Sequence, residues 1–292
     1  MHVPSVHIRK DVDADIEEFL RFLYRNTPEK RALVIRTYPE LAKAVELPEE
    51  QGSAQVTGFV RRYYREHAEA VDVLVADMEA RLASDAARVL AALGTEMDYA
   101  WPSDASGYIV IPTILPFSPL REPVFYFSLE RFLRVRATTV TGEYSILSTL
   151  AHEVSHFIFF AFLRTLPADV QALYTNDLVY LAKEILAPVV MNRPRLEQVL
   201  HLTDYGGNYL LHHLVVSRDG KAENIVRFFE NEYEQARESG ASFEDFLANY
   251  MKTLASIKEP LHERATLWNE HGASLLKDET LRARYCEPIV LP

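Results

Sequence analysis

Two histidines and a glutamate interrupt an otherwise apolar stretch, STLAHEVSHFIFF, at residues 148–160. His152, Glu153 and His156 have the spacing H-E-x-x-H. On a helix, residues four apart lie one above the other, so the two imidazoles share a face. Two such nitrogens can hold one Zn²⁺ at about 2.0–2.1 Å each. Glu153 is then within reach of a water on the metal, whose pKa the metal lowers and whose proton the carboxylate takes. The plainer reading makes these core histidines and a surface glutamate. It must house three polar groups in one apolar helix with no Lys or Arg of its own. Burying even one such group without a partner is costly, and a bound cation would offset that cost.

The residues around the motif add to it. Thr149, Leu150, Val154, Ser155 and Phe157 are uncharged and Ile158 is apolar, so TLAHEVSHFI resembles the longer signature of the zincin metallopeptidases. The resemblance covers this helix and its neighbourhood. It implies a zincin-like catalytic domain with a small sheet ahead of the motif helix, Zn²⁺ as cofactor, Glu153 as general base and a peptide or protein as substrate. The metzincin branch would need Gly at 159 and His at 162, and both positions are Phe. In the gluzincin branch the third ligand is a Glu on the next helix, and NDLVYLAKEILAPVV supplies Glu184. Pro188 lies four residues on and is expected to end or kink the helix at Glu184. That would put Glu184 at the border of its polar and apolar faces. The alternative for Glu184 is a solvated residue beside Lys183, on a face shared with Asp169 and Asn176. Asp177 is a rival ligand, because Thr175, Asp177 and Tyr180 resemble the Thr-x-Asp-x-x-Tyr of aspzincins. That family has Gly where this chain has Tyr174. A compromise gives Glu184 the metal and lets Asp177 orient a ligating His. Hydrolysis also wants a donor for the developing oxyanion. Tyr174, Tyr180, Tyr205, Tyr209, His212 and His213 are the candidates.

These residues need elements to hold them. The first hundred residues read as helical. Ile16, Phe19, Leu20 and Leu23 fall on one face. Thr27 and Pro28 read as an N-cap with Pro at the first helical position. Residues 54–93 read as one long helix or two consecutive ones. Pro, Ser, Asp and Gly at 102–107 mark a loop. YIVIPTIL (108–115) and VFYFSL (124–129) then read as strands. Pro112 cannot donate to a ladder and argues for an edge strand or a bulge. An exposed edge beside the metal could take an extended peptide by β-addition. From Glu143 the pattern is helical and almost uniformly apolar to Leu163, with Pro167 as its stop. A second helix is expected from Ala168 to about Ala187, before or across Pro188, and further helices near 205–216, 222–238, 242–256 and 260–283. The fold class expected is α+β with helix dominant. The domain expectation is a helical N-terminal region over 1–100 and a metal-binding domain over 101–292.

The 292 residues carry 42 Asp and Glu against 31 Lys and Arg. A net charge of −11 repels phosphates, which argues against a nucleic-acid or anionic-membrane partner. RRYYREH (61–67) mixes Arg with Tyr and is expected to be a solvated helix face. A single cysteine, Cys286, cannot form an internal disulfide and suits a reducing compartment. The N-terminus lacks the charged start, apolar run and cleavage site of a secretory leader. HFIFFAFL is far short of the roughly 20 apolar residues of a membrane helix. A cytoplasmic location is the expectation. Three readings of function follow: a zinc metallopeptidase, a non-catalytic interaction module whose metal is structural or lost, and a zinc amidohydrolase acting on a small molecule.

Overall fold

Apolar spacing builds the first helix much as the sequence suggests, but two acids join its buried face. In the computed structural model, which describes residues 3–103 and 107–292, a short strand β1 (Val6–Ile8) leads into α1 (Val12–Tyr24). There Ile16, Phe19 and Leu23 are buried, and so are Asp15 and Glu18. Helices α2 (Pro28–Thr37), α3 (Ala42–Val45), α4 (Glu49–Glu66) and α5 (Ala68–Glu96) follow. Thr27 sits at the N-cap of α2 with Pro28 behind it, yet its side chain makes no capping bond. The long apolar stretch is two helices, parted at His67. Strands β2 (Tyr108–Thr113), β3 (Leu120–Arg121) and β4 (Val124–Ser128) come next, with α6 (Glu130–Arg134) and the motif helix α7 (Ile146–Leu163). The loop expected at 102–107 has its centre, 104–106, outside the described residues.

The remaining chain is α8 (Ala168–Gln171), α9 (Asn176–Met191), α10 (Pro194–Leu200), β5 (Val215–Arg218), β6 (Lys221–Asn224) and α11 (Ile225–Glu238). It closes with α12 (Phe243–Ser256), α13 (Lys258–His271), α14 (Glu279–Cys286) and β7 (Ile289–Val290). The fold is α+β and helix-dominant. Its contacts do not divide the chain at residue 100. One unit combines Met1–Arg88 with Trp101–Leu150, and the other combines Val89–Ala100 with Ala151–Pro292.

In the first unit the sheet runs β1-β2-β4-β3. β2 is parallel to both β1 and β4, so the edge expected of YIVIPTIL is corrected to an interior strand. Proline is tolerated there for a geometric reason. β1 stops at Ile8, opposite Val110, so no strand lies beside Pro112 on the side its missing N–H would face. The Pro112 carbonyl instead meets the Tyr64 hydroxyl at 3.0 Å. That hydroxyl also lies 2.9 Å from Asp15, whose carboxylate accepts from the Thr113 hydroxyl and, at 3.1 Å, from the Ile114 N–H. Burial pushes the Asp15 carboxyl up to about 6, against the pull of these hydrogen bonds. RRYYREH is thus a solvated face only in part, since Tyr64 is buried in this network.

In the second unit α9 is the central helix, packed by α10, α11, α12 and α13. The Tyr250 hydroxyl of α12 donates to the Ala182 carbonyl of α9 at 2.6 Å. Residues 168–187 are not one helix. A short turn, α8, breaks off, and Thr175 caps α9 afresh by accepting from the Leu178 N–H. Nor does Pro188 end α9, which runs on to Met191. Residues 205–216, expected as helix, are mostly loop leading to a strand. A hairpin of β5 and β6 follows, turned at Asp219 and Gly220, both with positive φ. An Asp-Gly pair supplies that turn type. β7 joins β5 in parallel. Helix α7 is by composition apolar enough to cross a membrane, and 72% of it is buried as in a core helix.

Candidate metal centre

The second unit brings His152, His156 and Glu184 together. One ligand atom from each lies within 4.8 Å of the others. Glu184 Oε2 is 3.7 Å from His152 Nε2, and Oε1 is 3.9 Å from His156 Nε2. Bonds of 2.0–2.1 Å at the tetrahedral angle would hold ligand atoms about 3.3 Å apart. The cluster is within a small side-chain adjustment of that. The imidazoles meet edge to face from successive turns of α7, with ring centroids 4.4 Å apart and planes at 73°.

The chemistry of the donors fits a cation. His156 is 1% exposed, and neither of its ring nitrogens has a hydrogen-bond partner among the described residues. A core histidine ordinarily satisfies both. Burial holds the His152 imidazolium down to about 4, with Glu184 opposing and Lys183 assisting. The His156 ring is held well below its usual value, again by burial first. Both are therefore neutral at pH 7, the form that ligates metal. Glu153, next to His152, is buried as well.

Glu184 is neither solvated nor at a helix end. It is 8% exposed in mid-helix. Pro188 still marks it, because proline has no N–H to donate to the carbonyl four residues back. Gly207 packs against the Pro188 ring, where an added Cβ would meet Cγ at 3.2 Å, and its φ of +65° suits glycine. Asp177 does not reach the cluster. Its carboxylate is mostly exposed and pairs with His262 at 3.5 Å. The seven residues separating Asp177 from Glu184 span about 10 Å of helix axis, so sharing a face does not bring both to one ion.

The group beside His152 is Tyr205, not Asp177. Its hydroxyl lies 3.1 Å from Nδ1. With the proton on Nδ1 donated to Tyr205, the Nε2 lone pair faces Glu184, an arrangement that orients a ligating histidine. Tyr205 is itself fixed by Asn192, the C-cap of α9. The Asn192 Oδ1 accepts from the Tyr205 N–H at 2.6 Å, and its amide donates to the Tyr205 carbonyl at 3.3 Å. Asn192 also donates to buried Glu230 at 2.6 Å. Sequence reasoning missed Asn192 altogether. The only signal was its place just past the apolar run of α9.

The other oxyanion candidates disperse. The Tyr174 hydroxyl donates to the Leu163 carbonyl at 3.3 Å. Tyr209 is exposed and packs at a tilt against His212, and the ring of His212 fills the space left by Gly206. His213 is exposed. Tyr180 stays near the cluster. Burial first, then Glu184 and Glu153, raises its hydroxyl above the ordinary range, while Asn208 bonds to it.

Lys183, named from the sequence only as the neighbour of Glu184, is itself enclosed. The Lys183 ammonium donates to Glu184 Oε1 at 2.5 Å, and its side chain is only 11% exposed. Comparison with protein-family models, curated proteins and solved structures finds no match. The case for function therefore rests on the site.

Proposed function

We propose that the chain is a zinc-dependent hydrolase of the metallopeptidase class, gluzincin-like in its ligand set. The observation that carries this is the convergence of His152, His156 and Glu184, with both His156 nitrogens buried and unpartnered. His152 Nε2, His156 Nε2 and Glu184 would hold the ion. Zinc, when bound, supplies Lewis acidity that brings the pKa of water toward about 7. Glu153 accepts the proton from the attacking water and returns it to the leaving amine. Tyr205 holds His152 in the ligating tautomer. The interior position of β2 withdraws the strand that was to bind an extended peptide, so a peptide substrate rests on the resemblance of the motif.

The experiment is metal analysis of the purified full chain together with two variants. One zinc per chain is expected, lost in His156→Ala. Glu153→Gln should keep the zinc and lose hydrolysis of a peptide library read by mass spectrometry. A metal-free wild type, or full activity in Glu153→Gln, refutes the proposal.

The Lys183–Glu184 contact favours a second reading, in which an ammonium has taken over the role of the cation and the chain is a non-catalytic module. Under that reading Lys183→Met would unfold the protein sooner and zinc would not restore it.

A further inference from the structure

We propose that the metal-loaded centre is an oxyanion-binding site, with Lys183 and Tyr180 as its anion-facing donors. This rests on the metal reading above and extends it to the chemical class of the ligand.

Charge makes the first part of the case. Glu184 is the only carboxylate hydrogen-bonded to Lys183 among the described residues. An ion pair buried to this degree needs its partner, since a desolvated ammonium without one is strongly unfavourable. When Glu184 ligates a divalent cation, its charge is shared and Lys183 loses much of its compensation. The two imidazoles ligate as neutral rings. Among the groups named here, a divalent cation and one ammonium exceed the carboxylates of Glu153 and Glu184 by one positive charge. An anionic group is what completes that set.

Geometry makes the second part. Tyr180 and Lys183 are three residues apart, on the same side of α9 as neighbours on successive turns. The Lys183 Nζ lies 5.1 Å from the Tyr180 ring centroid. Glu184 and Glu153 both act on the phenol, each raising its hydroxyl. Asn208, whose Oδ1 accepts from the Leu210 N–H at 3.1 Å, engages the Tyr180 hydroxyl. An amide donating to the phenol oxygen leaves the phenol proton to be donated onward. Tyr180 retains 40% of its surface exposed. It is one of the oxyanion candidates suggested by the sequence. Lys183 was not among them, because a lysine beside a glutamate on a helix reads as surface.

Two sources share this chemistry. A carboxylate carried by the substrate is planar, and the oxyanion that develops on an attacked carbonyl is tetrahedral. Acetate and inorganic phosphate separate them as probes. The full chain loaded with cobalt(II) reports anion binding through its visible absorption, independently of turnover. Wild type is expected to bind acetate or phosphate. Lys183→Met should weaken that binding at least tenfold with one cobalt per chain retained. Lys183→Arg should recover most of it, and Tyr180→Phe should weaken it by a smaller factor. Preference for acetate points to a substrate carboxylate, and preference for phosphate to the developing oxyanion. Anion affinity unchanged in Lys183→Met, or no anion binding by cobalt-loaded wild type, overturns the inference and leaves the metal site standing. Failure of the wild type to take up cobalt sinks the metal reading and this inference with it.

Discussion

At the scale of single residues, the decisive atoms are the two ring nitrogens of His156, sealed from water with nothing to bond. The sequence brought out His152, Glu153, His156 and Glu184 because their types and spacing are chemical. It misjudged the setting of Glu184 and the role of Asp177. Helical periodicity places residues on a face but does not say which neighbour covers that face. Tyr205 shows the same limit, since its contact with His152 joins residues 53 apart in the chain. Loss of a group that orients a ligating histidine ordinarily costs about 10–100-fold in metal affinity. Tyr205→Phe should therefore weaken zinc binding by about that factor, measured by competition with a chromophoric chelator. Asn192→Leu should do the same by releasing the Tyr205 main chain. A smaller loss for both would mean that packing alone orients the ring.

At the scale of elements, α9 and β2 are where the reading from sequence and the structure differ most. Pro188 was expected to end or kink a helix. The helix continues because its neighbours bury it, and packing of this kind outweighs the loss of one backbone bond. Pro112 was expected to mark an edge strand or a bulge. It lies inside the sheet because the strand beside it is only three residues long, and β1 was not visible among the helical signals of the first hundred residues. Asp15 ties α1 and α4 to β2. Its folded pKa of about 6 stands above the ordinary 3.8, so the native state holds a proton that the unfolded chain releases. Stability is therefore lost as pH rises from about 4 to about 6. Asp15→Asn has no such titration. The gap in unfolding free energy between Asp15→Asn and wild type should move in favour of the variant across that range. The expected size is on the order of 3 kcal/mol, at about 1.4 kcal/mol per pKa unit. Denaturant melts at pH 4 and pH 7 measure it, and a flat difference would contradict it. Asp15→Ala should be destabilising at both pH values, because it strands the buried Ile114 N–H and Thr113 hydroxyl.

At the scale of the whole molecule, a bound ion is a stability term. A ligand that binds only the folded state stabilises it by about 4 kcal/mol when present at a thousand times its Kd. Zinc should raise the melting temperature of the metal-free chain, and His156→Ala should abolish the rise. An equal rise in both would place the zinc elsewhere. The net charge of −11 argues against an extended anionic partner. It is compatible with one small anion at the proposed centre, where the field would be set by a bound ion and Lys183 rather than by distant surface carboxylates.

By itself the sequence determined the helix-dominant α+β class, the motif helix and its paired imidazoles, and the candidate acid on the following helix. Each of these is written in local terms, as periodicity, spacing within one element or residue type. Tertiary structure alone decided that Glu184 rather than Asp177 meets the imidazoles and that Tyr205 stands behind His152. It also decided that Lys183 is enclosed with Glu184 and that β2 is interior. The reason is physical. Burial and hydrogen-bond partners depend on which distant segments come together, and no local pattern in the chain encodes that choice.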